Sequence, residues 1–154
     1  MADFWKILIA NRGEIAVRVI RAARDEGLAT VAVYAEPDRD AEHVREADES
    51  YALGGSSAAD SYLAAEKILE GARALGADAI HPGYGFLAEN TAFARACEEA
   101  GIVFIGPDHE MMDNLGDKVK SKLIAQSVGV PTIPGIAETI PDVKTALDFA
   151  EECG

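Results

Sequence analysis

At 154 residues, with 14 Lys and Arg against 27 Asp and Glu for a formal charge of −13, the chain is long enough for one compact domain, or one domain plus the start of a second. Hydrophobic residues make up 49% and charged residues 27%, which excludes disordered and collagen-like chains. The acidic balance argues against nucleic acid or an anionic membrane surface as main partner, because the long-range field repels phosphate; a nucleotide held by local donors remains possible.

The organising pattern is a short apolar, β-branched run followed by an amphipathic stretch, repeated. Residues 6–10 (KILIA) are apolar on both strand faces, as a strand covered on both sides requires. Over 13–26, Ile15, Val19, Ala22 and Ala23 fall on one helical stripe, and Gly27 ends it. A second buried strand follows at 30–34, then a loop with Pro37 and Asp38-Arg39-Asp40, a short helix at 41–47 and a weaker strand at 49–53. A helix is expected over 61–75, a fourth strand over 79–81, a helix over 89–100 and a fifth strand over 102–105, cut off by Gly106-Pro107. This alternation predicts right-handed crossovers and a Rossmann-like three-layer α/β sandwich around a mostly parallel five-stranded sheet. After Pro107 the rhythm changes to helices at 108–115, 117–127 and 142–153, interrupted by PTIPG, with no strand after the last. Residues 1–115 therefore read as one α/β domain and 116–154 as the beginning of another.

Two distant cysteines, Cys97 and Cys153, make no disulfide framework and fit a reducing compartment. The apolar run at the N-terminus is too short to span a bilayer and precedes no cleavage site, so the chain reads as cytoplasmic. The histidines at 43, 81 and 109 show no metal-ligand spacing, and His81 is expected to close its strand and bond backbone.

In open parallel α/β sheets ligands sit beyond the carboxyl ends of the strands, which directs attention to the loops there. The first, ANRGE, has one glycine where a dinucleotide fingerprint needs three, so a pyrophosphate turn is not expected; Asn11 as a helix cap and Arg12 in solvent are the simplest roles. The fourth, HPGYGFLAEN, flanks Tyr84 with Gly83 and Gly85, a pattern for left-handed backbone that holds an aromatic, hydroxyl-tipped side chain outward. Phe86 and Leu87 are expected in the core, and Glu89 at the start of the following helix, where the dipole favours a carboxylate. Lys118, Lys120 and Lys122 cannot share one helical face. Lys118 sits in a first turn, where a cation opposes the dipole at about a few tenths of a kcal/mol unless an anionic ligand offsets it; three solvated lysines are the simpler reading. Glu14, Arg18, Arg21 and Asp25 form the polar stripe of the first helix, a solvated face or one that docks on a symmetric copy.

Taken together, KILIANRGEIAVRVIRA, DRDAEHVREADESYALG, SYL at 61–63, AIHPGYGFLAEN, FIGP at 104–107 and LGDKVKSKLIAQSVGVPTIPG resemble the N-terminal part of biotin carboxylase, in order from about residue 6 to residue 135. The family is the ATP-grasp component of acetyl-CoA, propionyl-CoA, methylcrotonyl-CoA and pyruvate carboxylases. The resemblance implies an enzyme that uses ATP to activate bicarbonate as carboxyphosphate and carboxylates biotin on a carrier protein, with Mg2+ as metal cofactor and a carboxyltransferase as further partner. It implies that 1–115 is a pre-ATP-grasp domain and 116–154 opens the ATP-grasp domain. Lys118 then falls on a lysine that contacts ATP, and Tyr84 and Glu89 fall on the loop facing biotin and bicarbonate. Arg18, Arg21 and Asp25 fall on the helix that the bacterial enzyme uses in its homodimer contact, with Asp25 the weaker match because the family's acidic residue there can be Glu. The family's lid, magnesium carboxylates and catalytic glutamate and arginine follow later in its sequence, so no catalytic residue and no metal ligand is expected here. The piece alone is expected to be inactive and to hold no cofactor tightly. The competing expectations are a self-standing α/β binding or interaction module and, less favoured, an independent dinucleotide-binding protein.

Overall fold

The computed structural model describes residues 5–133, 135 and 140–153. Residues 1–4, in the N-terminal apolar run, and Pro134 of PTIPG lie outside them. The chain divides into two compact units, Met1–His109 and Glu110–Gly154.

The first unit is built on strands β1 (Lys6–Ile9), β2 (Ala29–Tyr34), β3 (Glu49–Ala52), β4 (Ala79–His81) and β5 (Val103–Phe104). All neighbouring pairs are parallel and the spatial order is β3-β2-β1-β4-β5. In the central register Leu8 lies between Val31 and Ile80, so the alternating side chains of three strands align on each face. On one face Leu8, Val31, Val33 and Ile80 meet Ile68, Leu69 and Ala72 of α3 (Ala65–Leu75) and Phe93 and Cys97 of α4 (Thr91–Glu99). On the other, Ile7, Ile9 and Ala79 meet Ala16, Val19, Ile20 and Ala23 of α1 (Gly13–Asp25). Each fully buried Leu, Ile or Phe stabilises this sandwich by roughly 1.5–3 kcal/mol relative to exposure. The expected three-layer α/β architecture is the one found.

Local differences have physical causes. The buried stripe of α1 runs through Ala16, Val17, Val19, Ile20 and Ala23, whereas Ala22 is exposed and Ile15 half-buried. The helix is apolar over so wide an arc that spacing alone does not fix its centre. The expected helix over 61–75 begins only at Ala65, because 61–64 is taken up by tight turns: Ser61 Oγ donates to the Ser57 carbonyl at 2.6 Å and Ser61 is fully buried. At Gly71 of α3 an added Cβ would lie 2.7 Å from the Tyr51 ring, so this helix approaches β3 too closely for any larger residue.

The second unit comprises most of α5 (His109–Gly116), with α6 (Lys118–Ser127) and α7 (Val143–Cys153). No buried residue occurs in these three helices. Among the described residues, no helix is long and apolar enough to cross a membrane.

Candidate functional site

The strand order reverses between β1 and β4: from β1 the chain winds outward to β2 and β3, then returns to β4 on the other side. Loops leaving β1 and β4 therefore diverge and open a crevice at the carboxyl ends of the strands. An open cleft of about 400 Å³ lies there, between Asn11 and Arg12 of the loop after β1 with Glu14 of the first turn of α1 on one side and Tyr84, Gly85 and Phe86 on the other.

Asn11 ties the two loops together. It is 3% exposed, and its Nδ2 donates to the carbonyls of Pro82 and Tyr84, each at 2.8 Å, while Oδ1 accepts from the Arg12 N–H at 2.9 Å. It caps no helix; Arg12 occupies the cap position of α1, without a side-chain cap bond. Gly83, at φ +67°, has no room for a side chain, since a Cβ would stand 2.8 Å from Asn11 Nδ2. Gly85 is also left-handed, as the flanking pattern predicts. The Gly83 N–H donates to His81 Nδ1 at 3.0 Å, so the strand-closing histidine bonds backbone. Burial depresses the basicity of this imidazole.

Between these two glycines Tyr84 is 61% exposed and its hydroxyl donates to Glu14. The carboxylate raises the phenol's pKa above its ordinary 10.0 by stabilising the neutral donor. Phe86 is not in the core: it is 36% exposed and stacks on Tyr62, whereas Leu87 is buried as expected. Nor is Arg12 simply in solvent. Its Nε and Nη2 form a fork on Asp38 at 2.7 and 2.6 Å. Those bonds hold the Asp38 carboxyl down at about 2. Burial and the bond to Asp38 push the Tyr62 phenol up to about 12.

Glu89 is exposed and precedes the true cap of α4, Asn90, whose Oδ1 accepts the Phe93 N–H at 2.8 Å. It therefore lies outside the first turn, and the dipole argument made for it lapses. Arg18 and Asp25 are exposed on α1, while Arg21 pairs within the chain with Glu46 and Glu42, on α2 (Glu42–Glu46). Lys118, in the other unit, is the first residue of α6, exposed behind the cap Asp117, which accepts the N–H groups of Val119 and Lys120. Lys120 pairs with Asp113, and Lys122 donates to the Gly135 carbonyl, so the three lysines are dispersed. Cys97 is a core thiol pushed up to about 12 by burial, a poor nucleophile. Among the described residues no group of three or more His, Cys, Asp or Glu could hold a metal ion.

Residues 3–112 match the family described as "Biotin carboxylase, N-terminal domain". The chain belongs to this family. The biotin-dependent acyl-coenzyme A carboxylase alpha3 subunit of Mycobacterium leprae is 55% identical over 97% of the chain, and the 2-oxoglutarate carboxylase small subunit of Hydrogenobacter thermophilus 52% identical over 98%. The chain spans 25% and 32% of those relatives' lengths. Among solved structures, the biotin carboxylase domain dimer of the Hydrogenobacter thermophilus 2-oxoglutarate carboxylase, in complex with MgADP, ADP and bicarbonate, superposes with a TM-score of 0.92. Its identity is 51%, and the match covers all of this chain and 34% of that one. Within this biotin carboxylase N-terminal domain, sequence reasoning found Tyr84 through its glycines but missed Asn11, Arg12, Asp38 and Tyr62 as a connected set. Their partners lie 24 to 73 positions away, and no local motif announces such a pairing.

Proposed function

We propose that the chain serves as the N-terminal domain of an ATP-dependent biotin carboxylase, which carboxylates biotin on a carrier protein and hands it to a carboxyltransferase. The observation that carries this is its 46–55% identity, over nearly its full length, to biotin carboxylases and to subunits of acyl-CoA, pyruvate and 2-oxoglutarate carboxylases. In this reading residues 1–115 form the pre-ATP-grasp domain and 116–154 open the ATP-grasp domain. The exposed Lys118 ammonium binds a phosphate of ATP, to which a point charge at a helix start is suited. Tyr84 and Glu89 line the side of the reaction where biotin and bicarbonate meet, Tyr84 offering a flat phenol whose proton is held toward Glu14. Arg18, Arg21 and Asp25 contribute to a homodimer contact. Bound magnesium supplies charge neutralisation on the phosphates, and its ligands are assigned to no residue of this chain.

The test is a chimera in which this chain replaces the matching N-terminal segment of the Hydrogenobacter thermophilus small subunit. Bicarbonate-dependent ATP hydrolysis stimulated by free biotin is expected, and Lys118→Ala should raise KM for ATP about tenfold, the value of one charge-assisted hydrogen bond. A folded chimera without bicarbonate-dependent turnover overturns the reading and leaves a self-standing module. The 154-residue chain alone is expected to show no turnover above its Lys118→Ala control.

A further inference from the structure

Among the described residues Phe86 is the one non-glycine residue with a left-handed backbone, at φ 40°. L side chains avoid that region because Cβ crowds the neighbouring carbonyl, and such residues persist only where their surroundings hold them. Here the holding surface is Tyr62, whose ring stacks on Phe86 with centroids 5.2 Å apart and planes 20° from parallel. Tyr62 comes from the irregular segment ahead of α3, yet it is almost wholly buried. Its hydroxyl donates to Asp38 Oδ2 at 2.7 Å and accepts the Ala35 N–H at 3.1 Å. Asp38 is in turn gripped by the Arg12 fork, and the same guanidinium lies 5.9 Å from the centroid of the Tyr62 ring. A line of contacts thus runs from the loop after β1, through the loop after β2 and the segment before α3, to the turn that carries Tyr84.

We propose that Tyr62 is a positioning residue: locked by Asp38 and Arg12, its ring holds Phe86 left-handed and so sets how the turn at 83–86 presents Tyr84. The consequence for catalysis rests on the functional reading above; the consequence for the turn does not. Simple core filling would require only bulk at position 62. Positioning requires the ring and its two anchoring bonds, and it becomes dispensable once position 86 needs no holding.

Two measurements separate these. In the 154-residue chain, the intraresidue HN–Hα nuclear Overhauser effect of Phe86 is strong only at positive φ. It is expected to weaken in Tyr62→Leu, with shifted Gly83, Tyr84 and Gly85 amides and unmoved β1 amides; a Tyr62→Leu chain that keeps it overturns the proposal. Should Tyr62→Leu not fold, Tyr62→Phe keeps the bulk and loses the anchors. Exchange of the Ala88 N–H, bonded to the Gly85 carbonyl at 2.8 Å, must then rise about tenfold, and unchanged exchange overturns the proposal. In the chimera, Tyr62→Leu is expected to lower kcat with free biotin about tenfold or more while KM for ATP stays within about twofold. Adding Phe86→Gly should restore most of kcat, because glycine adopts the left-handed backbone unaided. Lack of rescue, or equal damage to both parameters, overturns the catalytic role. A wild-type chimera without turnover would refute the functional reading instead, and the Overhauser result would still decide the role of Tyr62 in the turn.

Discussion

At the scale of single residues, the loops at the strand ends are held by a few polar side chains with unusual burial. Asn11 is buried and donates both of its amide protons to the opposite loop, so an apolar replacement would strand two carbonyls and one N–H. Phe86 carries roughly 1–3 kcal/mol of backbone strain, a cost that proteins commonly concentrate at working sites. The Tyr84 hydroxyl donates a hydrogen bond to the Glu14 carboxylate, which favours the protonated phenol. Glu14→Gln removes the negative charge that stabilises the neutral donor, so the Tyr84 pKa should fall toward its ordinary 10.0. Titration of ring-labelled tyrosine by NMR reads this directly, and an unchanged midpoint would show that the two side chains do not meet in solution.

At the scale of elements, the Arg12–Asp38 fork joins the loop after β1 to the loop after β2 and gives stability an acid limb. The carboxyl titrates near 2 when folded against an ordinary 3.8, so the unfolded chain binds the proton first. The contribution is complete above about pH 4 and disappears as pH falls through 2. Asp38→Asn should therefore cost on the order of 1–2 kcal/mol at neutral pH and flatten the decline between pH 4 and 2, seen in urea unfolding at stepped pH. Strands and helices were legible because β-branched runs and helical spacing are local: Thr30 to Tyr34 and Phe93 to Cys97 announce their own conformation. The start of α3 was not, because nothing local separates Ser61 and Tyr62 from the first turn of that helix until their bonds to Ser57 and Asp38 are known. Likewise Phe86 reads as core by composition, and only the stacking partner 24 positions earlier explains its exposure.

At the scale of the whole molecule, burial is uneven. Every buried residue described lies at or before Ile102, and the helices from His109 onward contain none. Amide exchange should therefore be slow in β1, β2 and β4 and faster by several orders of magnitude in α6 and α7 of the isolated chain, as measured by mass spectrometry at neutral pH. Equal protection in both units would mean that the second has found a cover. The alternation of strand and helix made the first unit legible as a whole, whereas the apolar residues exposed along α6, Leu123 and Ile124, give no sequence sign of what they are meant to meet.

The sheet also has two margins, and both are blunted. The outer strand β3 carries Glu49, ion-paired to Lys6 at 2.7 Å, and β5 is two residues long with Gly106 and Pro107 close behind. Charge on one flank and an early stop on the other leave a stray chain little template for extending the ladder, so edge-to-edge pairing and cross-β stacking are resisted.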